Sequence, residues 1–343
     1  MSFQHKLAKV AVLGAGSWGT TIAIHLHNLN HPVAIWEYYP ENVALLSKTR
    51  RNPLLEGIPI PAGIQISNDL EKTVVDSAFI VIAVPSHTMR KLLLNLSGLV
   101  AENAFIVNLS KGIEQDSLFR MSELIHHVLP HPLAKIVTLS GPSHAEEVAR
   151  EIPTAVVAAS ENIESARGVQ ELFNSHYLRV YTSTDIIGVE LGGSLKNVIA
   201  IAAGICDGLG LGDNSKAALI TRGLMEITRM GVYLGAEEAT FAGLSGVGDL
   251  IVTCGSKHSR NRYVGEEIGK GRRLDDIING MSMVAEGVQT CRTVQQMIAK
   301  YGILMPISAE IHKVLFEEKD PRLALNDLMT RDPVDERHSI PGN

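Results

Sequence analysis

Two patterns of apolar spacing divide this chain. In the first half, short and nearly continuous apolar runs occur at 10–13, 33–37, 79–85, 104–109, 135–139, 154–159 and 178–181. Stretches with helical spacing fall between them, at 20–29, 89–100, 117–129 and 163–173. Continuous apolar strands separated by helices predict a mostly parallel sheet covered on both faces, which is the α/β class. Around Asp185 the pattern changes to helical spacing alone. It predicts long helices at 185–209 and 215–234, then shorter ones near 288–301, 307–317 and 322–330. Gly302, Pro306 and Pro321 punctuate them. The boundary is placed near residue 190. This gives an α/β domain at 1–190 and an all-helical domain at 191–343, a division that 343 residues can support. The polar tail at 332–343 is expected to fray.

The first strand runs into Gly14-Ala-Gly16-Ser-Trp-Gly19, in the pattern G-x-G-x-x-G, and a helical stretch follows. In that setting Gly14 serves a tight turn, Gly16 lets backbone approach a pyrophosphate, and Gly19 lets the helix pack close. The helix start then offers free N–H groups to phosphates. The expected fold is therefore an N-terminal Rossmann domain that binds a dinucleotide. Glu37 ends the second run about 20 residues on, where an acidic side chain takes the ribose hydroxyls and repels a 2′-phosphate. With Tyr38 beside it, Glu37 favours NAD over NADP; the alternative is a solvated charge at a strand end.

Later stretches carry candidate chemistry. Lys111, in Asn108-Leu-Ser-Lys-Gly112, follows a strand's carboxyl end, where ligands of open parallel sheets bind; it is a site residue or an ordinary loop lysine. Ser140-Gly-Pro-Ser-His144 also follows a strand, and His144 is either an acid/base or a surface residue near a helix cap. The strongest signal is Lys196, the sole charged residue between Leu191 and Gly204. A lysine in so apolar a helix is costly unless it reaches a cleft, and burial lowers an ammonium's pKa towards that of a useful proton donor. Snorkelling to the surface is the bland alternative. Asn197 beside it can orient a substrate oxygen. Asp249, in a Gly-rich loop, can hold a substrate hydroxyl, hold a lysine, or cap a helix. Ser259-Arg260-Asn261 offers a guanidinium suited to forked phosphate binding, or else a solvated basic loop.

Composition narrows the field. A net charge of −6 with 20% charged residues gives no polybasic footprint, so nucleic acid is not an expected partner. Three widely separated cysteines, Cys206, Cys254 and Cys291, indicate a reducing compartment. Residues 1–9 lack a signal-peptide core, and no run of about 18 uninterrupted apolar residues predicts a membrane span. The expected location is cytoplasmic. His126, His127 and His131 lack a metal-site spacing, and residues 207–213 lack the ligands of a calcium loop.

Taken together, these motifs resemble the bacterial NAD(P)-dependent glycerol-3-phosphate dehydrogenases. Matching stretches include residues 14–19, 84–86, 110–114, 139–148, 180–190, 192–200, 218–224, 246–250, 258–262 and 284–287, in family order. The resemblance implies a helical domain of the 6-phosphogluconate-dehydrogenase-like type. It also implies interconversion of dihydroxyacetone phosphate and sn-glycerol 3-phosphate for phospholipid synthesis, and a homodimer. By motif it implies that Lys196 is the catalytic acid/base. Substrate contacts would come from Lys111, Gly141, Ser143, Asp249, Ser259, Arg260 and Asn261. Cofactor contacts would come from Ser17, Trp18, Lys111, Ala145, Arg260, Val284 and Glu286. Many members carry His or Arg just past the second strand; this chain has Glu37 and Tyr38 instead. A related β-hydroxyacid dehydrogenase and a non-catalytic NAD-sensing module are the alternative readings.

Overall fold

A computed structural model describes residues 7–281 and 283–336. The remainder of the tail expected to fray, from residue 337 onward, lies outside the described residues, as do residues 1–6 of the leader reading. The chain divides between Glu190 and Leu191 into two compact units.

The first unit is built on β1 (Val10–Leu13), β2 (Val33–Trp36), β3 (Gln65–Ser67), β4 (Phe79–Ile82), β5 (Phe105–Asn108), β6 (Ile136–Ser140), β7 (Thr154–Ala159) and β8 (Leu178–Ser183). They form one sheet in the order β3-β2-β1-β4-β5-β6-β7-β8. Neighbours are parallel throughout except β6 and β7, which run antiparallel. The chain reverses direction across the sheet between β1 and β4, the switch point at which such sheets bind ligands. Both faces of the sheet are covered, as the apolar runs predict. Val10 and Val12 of β1 pack into one core with Ile22, Leu26 and Phe173. Ala11 and Leu13 pack into another with Met89, Leu93 and Leu124.

Several boundaries differ from the sequence expectation, for local reasons. The helix expected at 89–100 is Met89–Leu96, because Ser97 is extended and Gly98 takes φ 80°. The helix expected from 117 begins at Met121, because Leu118 sits at φ 61° and Ile113 bridges Arg120. β3, with only three residues and one of them apolar, has no legible run.

The second unit is helical. Helix Ile186–Gly208 begins in the first unit and continues into the second; Asp213–Tyr233, Glu286–Tyr301, Pro306–Phe316 and Pro321–Met329 follow the expected pattern. Among the described residues, helices Glu238–Phe241, Arg260–Gly269 and Leu274–Asn279 are additional to that pattern, and a helix, Asp249–Gly255, does follow at Asp249. Ile186–Gly208 is long and apolar enough by composition to cross a membrane, but 94% of its apolar window is buried within the protein, as in a core helix. Its close partner is Arg260–Gly269. A Cβ at Gly204 would lie 1.9 Å from the Arg262 carbonyl oxygen, and one at Gly265 would lie 1.9 Å from that of Ile201. Gly208 and Gly269 repeat the same near-contact one turn on. The two backbones touch without intervening side chains, which fixes the residues at the start of Arg260–Gly269 against the middle of the long helix.

Candidate functional site

In the first unit the three loop glycines have three different surroundings. Gly14 sits at φ 111°, and a Cβ there would meet the Ala83 carbonyl oxygen at 2.6 Å. A Cβ at Gly19 would fall 2.0 Å from the Gly14 carbonyl oxygen, so helix Ser17–Asn28 is packed hard onto the turn. Gly16 faces open space, with nothing within 4 Å of a Cβ. It is also the N-cap of that helix, with no side-chain cap and no acidic residue in the first turn. A helix start left uncapped beside open space fits a pyrophosphate. Trp18 is half-buried against the core. The Ala15 N–H donates to Glu37 Oε2 at 3.3 Å, which places the carboxylate at the edge of the loop. Glu37 Oε1 accepts from the Tyr39 N–H at 3.2 Å and Asn42 Nδ2 at 3.3 Å. Tyr38 is exposed, and its hydroxyl accepts from Lys91 Nζ at 3.0 Å.

The loops beyond the strands' carboxyl ends are joined in series. Ala83 N–H donates to the Leu13 carbonyl at 2.8 Å, Ser110 Oγ to the Val84 carbonyl at 2.6 Å, and Lys111 Nζ to the Gly141 carbonyl at 3.1 Å. Ser143 Oγ donates to the same Gly141 oxygen at 3.1 Å. Lys111, Gly141 and Ser143, singled out on separate loops, are thus brought together. His144 is the N-cap residue of the short helix Ala145–Val148, with no side-chain cap bond. The carbonyl of Ala145 accepts from Thr21 Oγ1 at 3.2 Å, tying this helix to the one that follows the glycine loop.

In the second unit Lys196 is 5% exposed and does not snorkel. Its Nζ donates to Asp249 Oδ1 at 2.6 Å and to Thr253 Oγ1. Asp249 is 2% exposed. Of the roles open to Asp249, holding a lysine is seen directly, and the residue also opens helix Asp249–Gly255. Thr253 was not singled out from the sequence. Its place four residues after Asp249, on the same helical face, is the signal that finds it.

Asn197 Oδ1 accepts from Asn261 Nδ2 at 2.9 Å, and Asn261 Oδ1 accepts from the Gly287 N–H at 2.8 Å. The start of helix Glu286–Tyr301, with Glu286 its first residue and Val284 exposed just before it, is therefore held to the same cluster. Ser259 caps helix Arg260–Gly269, accepting from the Arg262 N–H at 3.2 Å. The two arginines behind it part company. Arg262 pairs with Asp207 at 2.6 Å and Glu266 at 3.3 Å. Arg260 is exposed at the helix start and enters no ion pair among the described residues. A guanidinium at a helix N-terminus with no ion-pair partner among the described residues suits an anion.

The cysteines are unsuited to nucleophilic work: burial pushes the Cys254 and Cys291 thiols up to about 12. The His126 and His131 rings bond to carbonyl oxygens, those of His131 and Ala104.

Residues 9–166 match the family described as NAD-dependent glycerol-3-phosphate dehydrogenase N-terminus, and residues 185–326 match its C-terminus. The glycerol-3-phosphate dehydrogenase [NAD(P)+] of Prosthecochloris aestuarii is 50% identical over 329 residues, covering 95% of this chain and 99% of that protein. The protein of the same name from Thermoanaerobacter is 50% identical over 332 residues, covering 97% and 100%. A crystal structure of glycerol-3-phosphate dehydrogenase from Coxiella burnetii superposes with a TM-score of 0.91 at 36% identity, covering 94% of this chain and 99% of that one.

Proposed function

The chain belongs to the NAD-dependent glycerol-3-phosphate dehydrogenase family, and from that premise we propose that it interconverts dihydroxyacetone phosphate and sn-glycerol 3-phosphate with NAD or NADP. The product is the backbone of glycerophospholipids. One observation in the second unit carries the substrate reading. The Asn197–Asn261 hydrogen bond joins the immediate neighbour of the buried Lys196 to the immediate neighbour of the exposed Arg260. The helix segments that carry the buried Lys196 and the exposed Arg260 are thereby tied together, an arrangement that suits a phosphorylated ketone.

When bound, the dinucleotide supplies or accepts the hydride at C2. Lys196 gives its proton to the C2 oxygen as negative charge grows there, a contribution of about 10²–10⁴-fold for general acid catalysis. Asp249 and Thr253 hold the Lys196 amine in place. Arg260 binds the phosphate, with Ser259 and Asn261 beside it, and Asn197 orients a substrate oxygen. Lys111, with Gly141 and Ser143, offers a further positive charge and polar groups to the anionic substrate. Binding and orientation of this kind remove at best roughly 7–11 kcal/mol of barrier. Gly14, Gly16, Ser17, Trp18 and Gly19 take the pyrophosphate side of the cofactor. Glu37 takes the adenosine ribose, which favours NAD, with Tyr38 alongside. The three buried free thiols support a reducing compartment such as the cytoplasm.

The test is NADH consumption by the purified chain with dihydroxyacetone phosphate, with β-keto acids as controls. Rapid oxidation with the phosphorylated ketone alone is expected. Turnover of the keto acids without it would replace this reading by that of a β-hydroxyacid dehydrogenase.

A further inference from the structure

Between helix Pro40–Thr49 and β3 the chain forms a compact loop of residues 50–64. Its ends are tied: the Ile60 N–H donates to the Arg50 carbonyl at 2.8 Å, Arg50 Nη1 donates to the Ile64 carbonyl at 2.8 Å, and Arg51 bridges Pro59. Leu55, Ile60 and Ile64 are at most 2% exposed, and Ile60 and Ile64 join the core under the sheet. Amid these apolar anchors one polar side chain points inward. Asn52 is 4% exposed. Its Nδ2 donates to the Ala15 carbonyl at 2.9 Å and to Thr20 Oγ1 at 2.7 Å, and its Oδ1 accepts from the Leu54 N–H at 2.9 Å. Thr20 Oγ1 in turn donates to the same Ala15 carbonyl at 3.2 Å.

Ala15 lies between Gly14 and Gly16. Its N–H is held by Glu37 and its carbonyl by Asn52 and Thr20. These are the groups that set the peptide planes on either side of Ala15, at the point where the chain enters the uncapped helix. Glycines on both flanks leave those planes little intrinsic preference. Something outside the loop must therefore fix the direction of the N–H groups at the helix start, and the burial of the Asn52 amide makes its bonds costly to lose.

We propose that Asn52 is a positioning residue for the dinucleotide. It clamps the Ala15 carbonyl so that the N–H groups following Gly16 are pre-aimed at the pyrophosphate. The proposal rests on the reading of the glycine loop as the cofactor site. Asn52 acts through the loop backbone and has no part in binding the phosphorylated ketone.

The experiment measures the Kd for NAD directly, by calorimetry, on wild type, N52D and T20V, together with the KM for dihydroxyacetone phosphate at saturating NADH. N52D keeps the shape and the bond from Leu54 but loses both amide donors. It is expected to weaken NAD about tenfold or more at pH about 8, with the ketone KM within about twofold. Lowering the pH to about 5.5 is expected to restore part of the affinity in N52D alone, because burial beside the Ala15 carbonyl raises the introduced carboxyl's pKa and the protonated form can again donate to that oxygen. A generally unfolded or loosened variant has no reason to regain NAD selectively on acidification. T20V, which removes the hydroxyl and spares Asn52, is expected to weaken NAD less than N52D does, and it reads the same clamp if N52D fails to fold. An N52D affinity within about twofold of wild type, or a loss of affinity equal at both pH values, overturns the clamp. Wild type that binds no NAD overturns the reading of the loop beneath it.

Discussion

Lys196 and Asp249 are 2.6 Å apart, with side chains 6% and 2% exposed. Such a pair is sensitive to the loss of one member, because a lone charge is left without solvent. D249A is therefore expected to cost about 3–5 kcal/mol of stability, whereas the double replacement K196M/D249L costs less than D249A alone. Chemical denaturation of the three proteins checks this. A double variant less stable than D249A would show that the pair stabilises the fold by its own attraction.

The two arginines of helix Arg260–Gly269 should separate binding from stability. R260A is expected to raise the KM for dihydroxyacetone phosphate by about 10- to 100-fold, the loss of charge-assisted hydrogen bonds, with an unchanged melting temperature. R262A breaks the pair with Asp207 and should lower the melting temperature, with a smaller effect on KM. Steady-state kinetics beside thermal melts read both. A KM that moves only in R262A would transfer the phosphate contact to that residue.

Glu37 should set the choice of cofactor. E37Q keeps the side chain's size but removes the charge that opposes a 2′-phosphate. It is expected to shift the ratio of kcat/KM for NADPH over NADH upward by about tenfold or more. An unchanged ratio would leave Glu37 as only a loop ligand of Ala15 and Tyr39.

Two buried groups give pH dependences of opposite sign. Burial lowers His25 from 6.5 to about 4; its Nε2 faces the Phe173 carbonyl at 2.7 Å and its Nδ1 the Tyr177 hydroxyl at 2.6 Å. The folded state holds this ring neutral, so its contribution is present above pH 6.5 and is lost as pH falls towards about 4. Burial raises Glu226 from 4.5 to about 7, against bonds from the Ile307 and Ser308 N–H groups. The folded state favours the protonated acid, so its contribution is present below pH 4.5 and is lost as pH rises to about 7. Each amounts to about 3 kcal/mol at full extent. The two windows overlap and largely offset in the wild type, so denaturant stability should fall as pH rises from about 4.5 to 7 in H25Q and should rise from about pH 4 to 6.5 in E226Q. A pH profile that neither substitution changes would assign the titration elsewhere.

Much of this was legible because the first unit is written in continuous apolar runs and a turn with fixed glycine positions. Lys196 stood out for the same reason, as a charge where the pattern forbids one. Helix Arg260–Gly269 was not legible because Gly265 and Gly269 argue locally against a helix. They are there so that backbone can meet Ile201, Ile205 and Gly208, a tertiary demand that overrides propensity. Read as a pair, Gly204-x-x-x-Gly208 and Gly265-x-x-x-Gly269 were the available signal. Asn52 left no signal, since its partners lie 32 and 37 residues away and nothing local distinguishes it from a turn asparagine.

The central claim is that Lys196 supplies the proton while the glycine loop holds the cofactor, and single-turnover oxidation of NADH by K196A with saturating dihydroxyacetone phosphate tests it most directly. The account predicts a rate about 10²–10⁴-fold below wild type, with the Kd for NADH unchanged. A K196A rate within about tenfold of wild type, or a rate loss that tracks a loss of NADH binding, would contradict it.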